Sequence, residues 1–403
     1  MPAELPARPR RRLGRKLALL VLSLAVVDQA LHWTVLRDGL LRGTHVAPFD
    51  PPLFSDTQRR LLEQYEDQLA DPGTFSRRSL FDPDLGWCPR PGMRRRLRSY
   101  DWAGAREGLR ALPEQRSAAR RIALVGCSFT EGHEVEATES WAAQLEALAP
   151  ELEVANLGVG GYGADQAYLR ALRDALPLEP DEVWLGLYPS GVVRTTTHFS
   201  PVQLHWRARA VLFKPRLEVT ADGVVVIPSP AQAPEDVPRL LSDQSALFEA
   251  LATDHWVRRT PAAYAPRGSR WQHHSGLARL ALTWLEHGGR DSHAWLRDEE
   301  SEVFRVHLAL LRDLHHALAA DGRVLRIVIL PDSGDLEAKQ GVAPWSPLVD
   351  AIEAENIPVL DVSETLILAG GAQASDLWQP EGHYSPRANR LVAEALYAAW
   401  LVE

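Results

Sequence analysis

From Arg121 onward, five short apolar runs alternate with stretches whose apolar residues recur at helical spacing. That alternation constrains the chain more than any other feature. The runs are 122–125, 154–157, 182–187, 324–330 and 359–361. Between them the spacing predicts a helix from Glu139, capped by Thr138, with Trp141, Leu145 and Leu148 on one face. It predicts further helices over 164–175, 346–355 and 299–319, the last carrying Val303, Val306, Leu310, Leu314 and Leu318 on its apolar stripe. A closing helix begins with Ser385 as N-cap and Pro386 in the first turn. Strands that alternate with helices in this way form a parallel sheet covered on both faces. Reactive groups in such a sheet gather in the loops beyond the carboxyl ends of the strands.

Charge divides the chain. The 403 residues hold 44 Lys and Arg against 53 Asp and Glu, a net charge of −9. Six of the cations (Arg8, Arg10, Arg11, Arg12, Arg15 and Lys16) crowd into residues 1–16, and the acidic remainder argues against a nucleic-acid partner. Directly behind them, residues 17–27 are apolar except for Ser23, and a weaker apolar continuation past Asp28 reaches Leu36. A basic cluster before an apolar stretch places the N-terminus in the cytoplasm. Residues 17–36 therefore read as an uncleaved transmembrane signal anchor, with the rest extracytoplasmic (periplasmic in a Gram-negative cell). Asp28 would stand at the −3 position of a cleavage after Ala30, which disfavours a cleaved signal peptide.

Residues 37–120 form an irregular, Pro- and Arg-rich approach segment with a predicted helix over 55–69. Residues 121–403 form the α/β domain, interrupted by an insertion near 192–298 with a hairpin over 217–227. Within the insertion, Trp206, Trp256, Trp271, Trp284 and Trp295 are expected to pack under a lid, and His273 and His274 to be surface imidazoles. No metal-ligand constellation and no cofactor motif stands out. Gly158-x-Gly160-x-x-Gly163 follows the second strand rather than the first, and no suitably placed acid follows it. Asp332 and Asp335, after the fourth strand, suit either substrate hydroxyls or a turn.

Three loops at strand ends carry chemistry. Ser128 lies in Gly126-Cys-Ser-Phe-Thr130 after the first strand, where a tight turn presents its hydroxyl. Asn156-Leu-Gly-Val-Gly-Gly-Tyr-Gly163 offers backbone N–H groups to a developing oxyanion. His383 precedes the last helix and can meet Ser128 as its base, with a carboxylate to orient the ring.

At these three stretches the sequence resembles the SGNH (GDSL-like) hydrolase family, many of whose members resembling this chain carry a membrane anchor. Gly126-Cys-Ser-Phe-Thr130 is similar to the family's first block, Asn156–Gly161 to its second and Gly382-His-Tyr-Ser-Pro386 to its last. The likeness covers roughly 121–191 and 322–401, plus Gly86-Trp87 upstream. It implies a three-layer, flavodoxin-like parallel sheet, Ser128 as nucleophile and His383 as general base. It further implies that the N–H groups of Ser128 and Gly161 line an oxyanion hole. The substrates it implies are acyl esters of carbohydrate or lipid, acetyl esters among them, with water or a hydroxyl as acceptor.

The sequence departs from the family at three points. Cys127 replaces the first-block Asp, as a small buried hydrophobe or as a rival nucleophile. The family's oxyanion Asn is missing: Gly191 occupies its place, and no Asn occurs between Asn156 and Asn356. That gap also fits a degenerate relative that binds glycan or assists polysaccharide assembly without turnover. The acid before His383 is Glu381, at −2, with Asp376 as the competing candidate.

Overall fold

The computed structural model describes residues 10–36, 39–41, 44–49, 60, 63, 79–89, 120–200, 202, 213–221, 223–288, 292–339 and 341–402. Most of the approach segment, including the helix expected over 55–69, lies outside the described residues, as does Trp206.

Five parallel strands make the central sheet: β1 (Arg120–Gly126), β2 (Leu152–Asn156), β3 (Glu182–Leu187), β4 (Val324–Ile329) and β5 (Val359–Asp361). Their order is β5-β4-β3-β1-β2, so the chain reverses its direction of travel across the sheet beside β1. β3 sits at the centre, in register with Gly126 opposite Gly186 on one side and Ile329 opposite Leu187 on the other. β1 and β3 are almost wholly buried, as near-continuous apolar runs require when helices cover both faces.

Each face has its own core. Helices α4 (Ala164–Arg170) and α6 (Glu302–Ala320) lie over Val125, Leu185 and Ile327 on one side. On the other, α3 (Trp141–Leu148) and α8 (Pro386–Trp400) enclose Ile122, Leu124, Trp184 and Val328. Glu182 fastens the amino ends of the strands: it pairs with Arg120, and its other oxygen accepts from Trp184 and Arg326. Burial alone would raise its pKa, but these donors hold the carboxyl below the usual range.

The helix boundaries follow the caps. Ser385 accepts from the N–H of Ala388, with Pro386 in the first turn of α8. Thr138 is not the cap of α3: residues Ala137–Glu139 form a tight 3-10 turn, and Ser140 takes the N–H of Ala143. The insertion carries the antiparallel hairpin Arg216–Thr220 and Gly223–Ile227, and helix α5 (Gly276–Gly288). His273 is buried, not on the surface. Its Nε2 faces the Ala262 carbonyl at 2.7 Å and its Nδ1 accepts from Gly268 at 3.1 Å, so the surrounding loop folds onto the ring. Trp256 and Trp295 pack together with rings 6.3 Å apart, whereas Trp271 and Trp284 are exposed.

At the N-terminal end, helix α1 (Arg10–Ala30) continues through one wider turn, Leu31–Val35. Residues Gly14–Thr34 are long and apolar enough to cross a membrane, with mean hydropathy 1.6, and none of that stretch is buried in the protein.

Candidate active site

β1 ends at Gly126, and Ser128 opens the single-turn helix α2 (Ser128–Glu131), which stops at Gly132. At the first helical position the N–H of Ser128 has no partner within the helix. The loop after β2 closes over this turn. Asn156 donates to the Thr130 carbonyl at 2.8 Å and accepts from Gly158 at 3.0 Å. A side chain at Gly158 would press within 2.4 Å of the Glu131 nitrogen, so only glycine permits that contact. The upstream hairpin Ser79–Asp82 and Gly86–Pro89 backs the same loop: Trp87 donates to the Gly160 carbonyl at 3.2 Å and flanks Gly161.

His383 reaches Ser128 from the far end of the domain. Its Nε2 lies 2.9 Å from Ser128 Oγ, and its Nδ1 lies 2.8 Å from Glu134 Oε2. Sequence reasoning missed Glu134. The partner of His383 is neither Glu381 nor Asp376. Glu381 donates its backbone N–H to Glu134 Oε1 at 2.9 Å, and its carboxylate extends to His133 Nε2 at 3.8 Å. Asp376 pairs with Arg387. Glu134 wins the place because its carboxylate is anchored to the histidine loop through both oxygens, the second also accepting the N–H of His383 at 3.3 Å. Burial pulls its pKa up, but the N–H of Glu381 and the contacts of His383 outweigh it and keep the carboxyl below the usual range. Its backbone is strained, at φ +69°.

A buried latch joins the two loops. Asn389 on α8 accepts the N–H of Trp141 at 3.0 Å and donates to the carbonyls of Tyr384 and Ser385 at 3.1 and 3.0 Å. Trp141 in turn donates its indole N–H to the Phe129 carbonyl at 3.0 Å. The Ser128 turn and the histidine loop are therefore tied through one side-chain pair. The Phe129 ring lies between Tyr188, Tyr384 and His383, at 4.9, 4.9 and 5.1 Å, and screens the site from one side.

The remaining candidates fall elsewhere. Gly191 does not offer its N–H, which closes a turn on the Tyr188 carbonyl at 2.9 Å. Asp332 caps helix α7 (Ser333–Ala338) and accepts from Tyr188. Asp335 is fully buried and takes Ser190 Oγ and His293 Nε2, both at 2.6 Å. Both aspartates are spent on binding loops together. Cys88 and Cys127 are free thiols, and burial pushes both thiols up, Cys88 to about 11. At Cys127 the positive charge of Arg194 and nearby N–H groups only partly oppose that rise.

The chain matches no protein-family model and no curated protein. Among solved structures it is similar to a member of the lipolytic protein G-D-S-L family from Veillonella parvula, with 12% identity, 70% of this chain and 98% of that one covered, and a TM-score of 0.32. It is also similar to a catalytic mutant of an acetylxylan esterase from Geobacillus stearothermophilus, with 11% identity, 72% and 97% covered, and a TM-score of 0.38. A lipase/acylhydrolase from Enterococcus faecalis matches with 14% identity, 69% and 94% covered, and a TM-score of 0.33.

Proposed function

We propose that the chain is a membrane-anchored serine esterase or acyltransferase of SGNH type, acting on acyl esters of carbohydrate or lipid. One observation carries the reading: the relay from Ser128 Oγ to His383 Nε2 at 2.9 Å and from His383 Nδ1 to Glu134 at 2.8 Å. It stands beyond the carboxyl ends of parallel strands, where the sheet order reverses.

Ser128 Oγ attacks the ester carbonyl while its proton passes to His383 Nε2. Ionised Glu134 holds the proton on Nδ1, so that Nε2 begins as the acceptor and the imidazolium is stabilised once formed. The N–H groups of Ser128 and Gly161 receive the oxyanion, each such donor being worth roughly 3–4 kcal/mol of transition-state stabilisation. The tetrahedral intermediate collapses, the alcohol leaves with the proton from Nε2, and an acyl group stays on Ser128. Water or a sugar hydroxyl then gives its proton to Nε2 and takes the acyl group. Arg194 supplies the donor that the absent Asn would have given. Its guanidinium crosses the Tyr188 ring at 5.4 Å and reaches the Tyr162 carbonyl, next to Gly161, at 3.4 Å.

In this reading α1 remains uncleaved. Asp28, at its end, accepts from Ser275 Oγ and from the Leu277 N–H, both at 2.8 Å, so removing the helix would strip contacts from the folded body. The test is p-nitrophenyl acetate hydrolysis and fluorophosphonate labelling by the purified full chain, beside Ser128→Ala. Burst release and labelling confined to the wild type are expected. Wild type and variant behaving alike in both assays would instead favour the non-catalytic glycan-binding reading.

A further inference from the structure

Helix α5 has its polarity inverted. Among its described residues, the side chains it buries fully are Arg279, Thr283 and Glu286, with Leu280 and Leu282 half-buried beside them. Arg279 donates to the carbonyls of Ala47 and Leu36, both at 2.7 Å. Thr283 accepts the Ala47 N–H at 3.0 Å, and Glu286 accepts from Tyr264 at 2.7 Å and from Thr260. The face turned outward is apolar: Leu277 at 45% exposure, Ala281, Trp284 at 73% and Leu285 at 50%. A helix in water turns its stripe the other way. Exposing two leucines and a tryptophan while burying two charged side chains is unfavourable unless the outer medium is itself apolar.

The surroundings identify that medium. α5 starts against the end of α1, so closely that a side chain at Gly276 would meet Leu31, Asp28 and His32 within 3 Å. Asp28, an acid inside the apolar stretch, is spent on the start of α5 through Ser275 and Leu277. Trp33 and Trp271, at 67% and 73% exposure, flank the junction. Tryptophan collects at the membrane–water boundary, where its ring meets acyl chains and its N–H meets water. Arg267 and Arg270, both exposed, precede Trp271 and suit anionic headgroups.

We propose that the outer face of α5 is a second membrane contact: it lies in the interfacial layer of the bilayer that α1 crosses, with Leu277, Ala281, Trp284 and Leu285 among the acyl chains. The proposal rests on the anchor reading of α1. Together the two elements seat the domain on the membrane surface instead of leaving it on a free tether.

The test uses spin labels on single cysteines in the full chain, reconstituted into phosphatidylcholine vesicles containing phosphatidylglycerol. Labels go on Leu22→Cys in α1, on Ala281→Cys and separately Trp284→Cys in α5, and on Leu368→Cys, exposed on the body. The two native thiols, Cys127 buried and Cys88 half-buried, are both raised in pKa and label slowly. Far-UV circular dichroism and the urea unfolding midpoint, compared with wild type, verify that each variant folds. Collision with oxygen, relative to a water-soluble nickel chelate, is expected several-fold higher at positions 22, 281 and 284 than at 368. A lipid-like signal at 22 with water-like signals at 281 and 284 would overturn this inference and leave the anchor standing. A water-like signal at 22 would remove the anchor and this inference with it. Shielding of 281 and 284 from both reagents would mean that protein covers the face, and would also overturn the proposal.

Discussion

Glu134→Gln isolates the residue that completes the relay. The carboxylate serves three donors: Glu381 N–H on one oxygen at 2.9 Å, and His383 N–H and Nδ1 on the other at 3.3 and 2.8 Å. A glutamine has one oxygen and one NH2 for those two places. If the NH2 faces His383, the ring answers with its other tautomer: Nδ1 accepts, Nε2 carries the proton, and Ser128 loses its base. Loss of the correct tautomer costs about 10⁴-fold in kcat, or about 5.5 kcal/mol at 1.36 kcal/mol per decade. If the NH2 turns outward instead, it opposes the Glu381 N–H and loosens the histidine loop. Turnover of an acetyl ester and the rate of fluorophosphonate labelling should both fall, with KM within a few-fold of wild type. Urea unfolding should show only a modest loss of stability. Glu381→Gln and Asp376→Asn, whose carboxylates face His133 and Arg387, should remain near wild type in the same assays. Near-wild-type turnover in Glu134→Gln, or collapse in Glu381→Gln, would refute the assignment.

Cys127→Ala should keep most of its turnover and its fluorophosphonate labelling, because burial holds that thiol protonated; complete loss with an intact fold would reinstate the cysteine as nucleophile. Arg194→Gln should lower kcat by about 100-fold with little change in KM if the guanidinium serves the oxyanion, the scale of losing one such donor. An unchanged kcat would leave the missing amide uncompensated. Asn389→Ala leaves the buried Trp141 N–H without its acceptor, so urea unfolding should show a loss of about 2–4 kcal/mol, accompanied by lower turnover as the two loops separate. For pH, the folded Glu134 pKa lies below its unfolded value, so its stabilisation is complete above the unfolded value and disappears as pH falls through the folded one. The stability gap between wild type and Glu134→Gln, read by urea unfolding, should therefore narrow below about pH 4.5. A gap that widened there would reverse the assigned sign.

The sheet was legible because its strands are continuous apolar runs that water excludes in one way only. The runs 182–187 and 359–361 coincide with β3 and β5, and the other three shift by a residue or two at their ends. Ser128 and His383 were legible because each stands where a strand or a helix cap fixes the chain direction. Glu134 was not. Its position depends on a four-residue helix, a glycine stop and a backbone at φ +69°, none of which has a periodic signature. The nearby acids at 376 and 381 drew attention because they are close to His383 in sequence, whereas the carboxylate that reaches it lies 249 positions away. The polarity of α5 was hidden for a related reason. Its spacing is amphipathic either way, and only the packing of Arg279, Thr283 and Glu286 says which face looks inward.

Glu134 lies six positions after Ser128, so in the proposed relay nucleophile and orienting acid come from one turn of chain, and only the imidazole must be delivered by the global fold. That division assigns the strain. A short segment that turns back on itself puts both Gly132 and Glu134 at positive φ, and only at Glu134, which carries a side chain, does that cost about 1–3 kcal/mol. The histidine loop offsets it with two backbone N–H bonds to the same carboxylate. The Trp141–Asn389 latch keeps that loop docked from the opposite side. Loosening the latch should therefore disturb the acid and the base together, even though neither residue of the latch touches Ser128.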